Sequence, residues 1–259
     1  MTVRDLTELL DARFPTALSC EWDNDGLLVS PDPGANVTGV LLALDLTDAA
    51  IDEAVARRCN VILTHHPLIF RPASRFTADN GVQRRVLRLL SLGISTVACH
   101  TRADAAKGGV NDALAGLLGL VDAVPFADGI PRIGNLPAPL SAREAVERIR
   151  RVTGAKQPLF SGKAGTVYTV ALCGGDGKDY LAAAAEAHAD LYLTGELSYH
   201  ARLDAADYPM LSVEIGHDAS EMQILTVFGA FLSEAAPALP AVAFPYFPGD
   251  GFSGGRLDI

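Results

Sequence analysis

Three apolar runs alternating with amphipathic stretches are the strongest constraint on how this chain can fold. VTGVLLALD (37–45), NVILT (60–64) and ISTVACH (94–100) are rich in Val, Ile and Leu and polar only toward their ends, as expected of strands covered on both faces. Between and after them lie DAAIDEAVARR, GVQRRVLRLLSLG and VNDALAGLLGL, which carry helical spacing. Strand-helix-strand alternation of this kind predicts an α/β protein with mainly parallel sheets.

From Asp122 to Ser141 the rhythm breaks, with prolines at 125, 131, 137 and 139, and a lobe boundary is expected there. Ser141 with Glu144 then spells a capping box for SAREAVERIRRVTG, with Leu140 placed as a hydrophobic staple. Alternation resumes through TVYTVALC, a glycine turn GGDGKD, an alanine-rich helix, ADLYLT, a further helix, MLSVEI and a last long helix from about Ala219 to Glu234. The final FPYFPGDGFSGGRLDI is rich in Pro and Gly and reads as irregular.

A length of 259 residues with 49% hydrophobic and 20% charged side chains can bury one large α/β core or two packed lobes. The net charge of -10 excludes an extended nucleic-acid-binding face, which needs clustered Lys and Arg. Cys20, Cys59, Cys99 and Cys173 form no C-x-x-C pair, so a zinc ribbon or redox motif is not expected; they read as reduced thiols of a cytoplasmic protein. Arg4, Asp5 and Glu8 interrupt the amphipathic N-terminus, so it does not read as a signal sequence. No stretch approaches the roughly 18 apolar residues of a membrane span.

Asp45, His65 with His66, His100 with Asp104, and Gly216 with His217 all fall at or just beyond predicted carboxyl ends of strands. In open α/β sheets that edge is where ligands bind. In Thr64-His65-His66-Pro67 the strand is ending and Pro67 keeps His66 out of the helical region, so both imidazoles can turn to one crevice and serve two metals. The alternative is one buried and one surface histidine. Asp104, on the loop that leads to Gly108-Gly109, is either a hard oxygen donor or a turn and helix-capping residue. His217 and Glu221 are four apart, which places both on one helical face and suits an imidazole on one ion and a carboxylate bridging two. The competing reading has Asp218 capping the helix and Glu221 reaching back to it.

Taken together, three strand ends deliver nitrogen and carboxylate donors to one edge, and that donor set suits zinc, iron, manganese, nickel or cobalt. Two divalent ions bring four positive charges and Asp104 with Glu221 return two, leaving a surplus that attracts anions and acidifies bound water. Among secondary features, Trp22-Asp-Asn-Asp-Gly26 reads as a turn before a strand, with Trp22 packing rather than meeting substrate. His100, Glu196 and His200 are placed to stand behind the metal donors, Glu196 and His200 as an acid or base or merely as parts of a helix cap. Gly174-Gly-Asp-Gly177 has no Walker ending and reads as a plain glycine turn.

WDNDGLLV (22–29), LALDLT (42–47), ILTHHPLIF (62–70), HTRADAAKGGVNDALA (100–115), GIPRIGNLPAPLS (129–141), DLYLTGELSYH (190–200) and GHDASE (216–221), in this order, resemble the Nif-three-like dinuclear metal-centre family, also called type 2 GTP cyclohydrolase I homologues or YbgI-like. The resemblance implies two interlocked α/β lobes, 1–125 plus 215–259 carrying the metal site and 126–214, in the short form without an inserted domain. It also implies a ring-shaped homohexamer with two divalent ions per subunit. The family's ligands fall on His65, His66, Asp104, His217 and Glu221. Three positions depart from the family pattern: Asp25 stands for a usual Val, Arg102 for an Asn-like residue and Asp218 for a frequent Tyr, the last two beside ligands, where they bear on substrate choice.

The activity so implied is metal-dependent hydrolysis of a purine nucleotide, as in opening the guanine imidazole ring of GTP with loss of formate. Two other functions fit the same donors: metal binding, storage or delivery, or scaffolding, without turnover, and a dinuclear phosphoesterase. An anionic small molecule such as a nucleotide is the expected ligand.

Overall fold

The computed structural model describes residues 1–163 and 165–244, so the Pro- and Gly-rich tail lies outside the described residues from 245 onward. The chain is an α/β protein that divides into two compact units, residues 1–103 with the described residues from Phe228 on, and Asp104–Val227.

In the first unit, α1 (Val3–Arg13) starts at a capping box made by Thr2 and Asp5 and buries Val3, Leu6 and Leu10. Then come β1 (Gly26–Val29), β2 (Val40–Ala43), α2 (Asp48–Ala56), β3 (Val61–Thr64), α3 (Gly81–Leu92) and β4 (Ser95–Ala98). Every residue of β2, β3 and β4 is buried, as their unbroken apolar sequence predicts. The sheet order is β1-β4-β3-β2-β11, where β11 (Ala241–Ala243) is a late strand pairing parallel to β2. β2, β3 and β4 are parallel, and only the edge strand β1 runs antiparallel. Ala50, Ile51 and Ala54 of α2 and Val86 and Leu89 of α3 join one core with Leu41, Ala43 and Ile62 of the sheet. Gly93 ends α3 in the left-handed conformation, φ 72°. Elsewhere in this unit Phe14 packs edge-on to Phe228 at 5.6 Å.

The chain crosses between the units in α4 (Thr101–Ala105) and, later, in α10 (Ile224–Ala235). The second unit holds α5 (Val110–Leu118), β5 (Val121–Pro125), β6 (Arg132–Ser141), α6 (Ala142–Thr153), β7 (Leu159–Gly162), β8 (Thr166–Asp176), α7 (Leu181–Glu186), β9 (Leu191–Glu196), α8 (Tyr199–Ala205), β10 (Leu211–Glu214) and α9 (His217–Glu221). Its sheet runs β5-β6-β8-β9-β10-β7. β8, β9 and β10 are parallel, but β5, β6 and β7 pair antiparallel, so this sheet is mixed and the expectation of mainly parallel strands holds only for the first unit.

The proline-bearing segment is extended chain. Pro137 and Pro139 fall where the β6–β8 register shifts, between Asn135 and Leu140, and both are exposed, so neither removes a ladder hydrogen bond. The Ser141–Glu144 capping box forms as its sequence predicts. The last helix is not continuous: α9 ends at Glu221 and α10 begins at Ile224. Among the described residues no helix is long and apolar enough to cross a membrane.

Candidate metal centre

In the first unit, parallel β3 and β4 end side by side; His65 and His66 follow β3 directly, and His100 lies one residue further on from β4, after Cys99. His65, His66 and His100 each offer a ring nitrogen, and these atoms lie within 4.8 Å of one another. The Nδ1 of each ring faces an oxygen. For His65 this is the Cys99 carbonyl at 2.9 Å, for His66 Asp45 Oδ1 at 2.8 Å, and for His100 Asp23 Oδ1 at 2.8 Å. A carbonyl or carboxylate oxygen only accepts, so Nδ1 carries the proton and donates. In neutral imidazole this puts the lone pair on Nε2, the tautomer that metal-binding histidines adopt when an oxygen orients them.

The WDND loop is therefore more than a turn before β1. Asp23 Oδ2 accepts from the Thr101 amide and hydroxyl, at 3.1 and 2.6 Å, and Asp25 Oδ1 accepts from the His100 amide at 2.5 Å. Burial works against ionisation of Asp23, yet His100 and Thr101 together hold its carboxyl well below the usual range. Burial pushes Asp25 the other way, up, with the Asp23 charge adding to it.

Arg102 is fully buried and points into this unit's interior, so the expected bearing on substrate is replaced by a structural one. It donates to Asp11 Oδ1 at 2.5 Å, to the Phe14 carbonyl at 3.1 Å and to the Ala98 carbonyl at 3.0 Å, and its Nε lies 3.8 Å from Asp25 Oδ2. Asp25 and Arg102 are thus oppositely charged neighbours. Trp22 packs edge-on to Phe70 and His100, at 5.9 and 6.2 Å, yet stays 63% exposed, because the loop turns Asp23 and Asp25 inward instead.

In the second unit, Gly216 (φ 93°) ends the chain's exit from β10 and starts α9 with no side-chain cap, so neither Asp218 nor Glu221 caps this helix. His217 Nε2 lies 3.2 Å from Glu221 Oε2, and its Nδ1 3.5 Å from Glu196 Oε2. Donors at 2.0–2.2 Å from a tetrahedral ion are about 3.3 Å apart, so the His217–Glu221 pair has the spacing of two ligands on one metal. Asp104, placed on α4 rather than on a loop, offers a carboxylate oxygen within 4.8 Å of one from Glu221.

The supposed glycine turn proves to be a bulge. β8 runs through Gly174 and Gly175 to Asp176, and its register against β9 shifts between Cys173 and Asp176. Gly175 has φ +64°, and a Cβ there would stand 2.4 Å from Glu221 Oε1 and 3.3 Å from His217 Nε2. Only glycine leaves room for these donors. Ser220 Oγ ties α9 to the bulge, accepting from the Gly175 amide at 2.9 Å and donating to the His217 carbonyl at 2.7 Å. Buried Asn111 does the same for Asp104, donating to its carbonyl at 3.2 Å while accepting from the Gly174 amide at 2.8 Å. Burial first, then the charges of Asp104 and Glu221, push the Cys173 thiol well above its usual value.

His200 is exposed on α8, its ring 5.3 Å from that of Tyr199, and it belongs to no donor cluster among the described residues. Asp23, Asn111, Ser220 and Gly175 escaped the reading of the sequence. The faint signal for Asp23 was an acid beside a tryptophan in a loop whose partner strand ends in histidine.

The fold and these donor sets define an α/β protein with two mixed sheets and His and carboxylate clusters fitted to metal binding. A family model described as Duf34/NIF3 (NGG1p interacting factor 3) matches residues 1–246, and the chain belongs to this family. It is 34% identical over 233 residues to the GTP cyclohydrolase 1 type 2 homolog of Clostridium perfringens, covering 87% of this chain and 88% of that one. It is also 34% identical over 234 residues to the Protein NIF3 homolog of Schizosaccharomyces pombe, with 83% of each covered. Among solved structures, a Staphylococcus aureus hypothetical protein matches with TM-score 0.86 and 25% identity, over 95% of this chain and 99% of the other. The protein ybgI, of unknown function, gives the same TM-score, identity and coverage.

Proposed function

We propose that His65, His66, Asp104, His217 and Glu221 hold two divalent ions, and that the protein is a metal-dependent hydrolase of a purine nucleotide. The observation that carries the metal reading is the oxygen partner on Nδ1 of His65, His66 and His100. One such partner is ordinary; three on clustered rings are the support that metal-ligating imidazoles need. The 3.2 Å spacing of His217 and Glu221 and the space kept by Gly175 fit the same role. Zinc, iron, manganese, nickel and cobalt all suit these donors. When bound, the ions supply Lewis acidity and a positive surplus that favours an anionic substrate.

The chain's own contribution is orientation and proton handling. Asp45 and the Cys99 carbonyl fix the rings of His66 and His65. His100, its Nδ1 proton held by Asp23, is able to take a proton at Nε2 and return it. Glu196, 56% exposed and beside His217 Nδ1, is a second site for a proton in transit. The substrate class follows the name borne by the Clostridium perfringens relative, and a homohexamer follows from the sequence resemblance.

Metal analysis of the purified protein, followed by assays for formate, phosphate and ring-opened product across a nucleotide panel, tests the reading. Formate release that depends on metal supports it. Phosphate release alone transfers the site to phosphoesterase chemistry, and bound metal with no product leaves a binding protein. Light scattering at low micromolar concentration tests the assembly, where a stable monomer overturns the hexamer.

A further inference from the structure

Trp22 and Phe70 are 63% and 45% exposed, yet they stand against each other with ring centroids 5.9 Å apart and planes at 63°. Each also lies 6.2 Å from the ring of His100, whose ring is 5.3 Å from that of His65 and 5.5 Å from that of His66. Two large aromatic faces thus border the imidazole cluster and remain open to water. Leaving them open carries a cost, since burial of large aromatic side chains is favourable.

Neither side chain is exposed by slackness. The Trp22 loop is fastened at Cys20, whose amide donates to Thr101 Oγ1 at 3.0 Å, and at Asp23 and Asp25, which grip His100 and Thr101. Asn24 Nδ2 donates to the Ile69 carbonyl, joining this loop to the residue before Phe70. The backbone that carries both rings is therefore locked to the strand end that carries His100. A preorganised pair of aromatic faces is what a planar ring ligand requires, and stacking is tolerant of which ring it receives.

We infer that Trp22 and Phe70 form a stacking platform that receives the planar heteroaromatic ring of the substrate at the imidazole cluster. The inference rests on the reading of that cluster as part of a metal site acting on a purine nucleotide, and it names the side chains that select for the base. Recognition of the base would then be separate from recognition of phosphate, which the metal charge supplies.

Trp22 is the chain's one tryptophan, so its emission reports on this platform alone. Zinc-loaded protein is titrated with GMP and, separately, with ribose 5-phosphate, which lacks the ring. Saturable quenching by GMP and none by ribose 5-phosphate is expected. Phe70→Leu should weaken GMP binding about tenfold while zinc content and ribose 5-phosphate affinity stay unchanged. Trp22→Leu, followed by equilibrium dialysis, should do the same. GMP that binds in dialysis without altering Trp22 emission, and equally well to both variants, overturns the platform while the metal reading stands. Protein that takes up no zinc, yet is quenched by GMP, keeps the platform and removes the metal reading. Emission that shifts on dilution without nucleotide means that a second copy of the chain covers Trp22, which also overturns the inference.

Discussion

Replacing Gly175 by alanine separates a metal role for Glu221 from a merely structural one. The substitution has two costs. The backbone sits at φ +64°, where a side chain is penalised by about 1–2 kcal/mol. The new Cβ also stands 2.4 Å from Glu221 Oε1, and ordinary contact begins at 3.4 Å, so the carboxylate must retreat by 1.0 Å. That oxygen is the far end of a flexible side chain, and its retreat costs the fold little. A ligand, by contrast, is held to about 0.2 Å, so a shift several times larger removes Glu221 from coordination. Gly93→Ala is the control, because its φ is +72° and nothing lies within 4 Å of the added Cβ. Without metal the two variants should lose similar stability in urea titrations, about 1–2 kcal/mol each. In chelator competition Gly175→Ala should hold metal some 10- to 100-fold more weakly than Gly93→Ala. Equal metal affinity in the two variants would refute the assignment of Glu221 as a ligand.

Glu221→Ala is expected to lose both ions, because its carboxylate is assigned the bridging position, whereas Asp104→Ala should lose mainly one; metal stoichiometry beside the parent decides. Chelation should lower the Tm and added zinc or manganese restore it, the shift corresponding to about 2.7 kcal/mol when free metal is a hundred times Kd. Alkaline pH should destabilise the protein in a defined window. Burial pushes the Cys99 thiol from its ordinary 9.0 up to about 12, so the unfolded chain gives up this proton first. The stabilisation is whole below pH 9 and is lost as pH rises toward 12, by about 4 kcal/mol at 1.36 kcal/mol per pH unit. Urea midpoints for the parent and Cys99→Ala, measured at pH 8 and 10.5, should converge as the pH rises; parallel lines would refute it.

The parts legible in the sequence are those where one physical cause acts alone. β2, β3 and β4 are buried on both faces, so their apolar runs had no other use, and the histidines after β3 and β4 could be placed at the sheet's edge. The Ser141–Glu144 box is local and was equally plain. The bulge at Gly174–Gly175 was not, because consecutive glycines look the same in a turn and in a strand that must clear a carboxylate. Trp22 was legible only in part: its ring packs on Phe70 and His100, but its 63% exposure was hidden, because only the inward bonds of Asp23 and Asp25 show that the loop spends its interior positions on polar groups. Arg102 looked like a neighbour of ligands, but its partners Asp11 and Phe14 lie some ninety residues earlier and no local pattern announces them.

The pairing of β11 with β2 bears on the order in which the chain acquires its structure. Residues 104–227 are contiguous, so every contact inside that unit is available once Val227 has been synthesised. The first sheet is different: β1 to β4 are made within the first hundred residues, yet Leu41 and Leu42 of β2 wait for Val242 and Ala243 before that edge is closed. For more than a hundred residues of synthesis, β2 therefore presents an apolar, unpaired edge, the kind of surface that pairs with other chains. The sheet whose strands come first is the last to be finished, and a chain released before Ala241 would carry that open edge permanently.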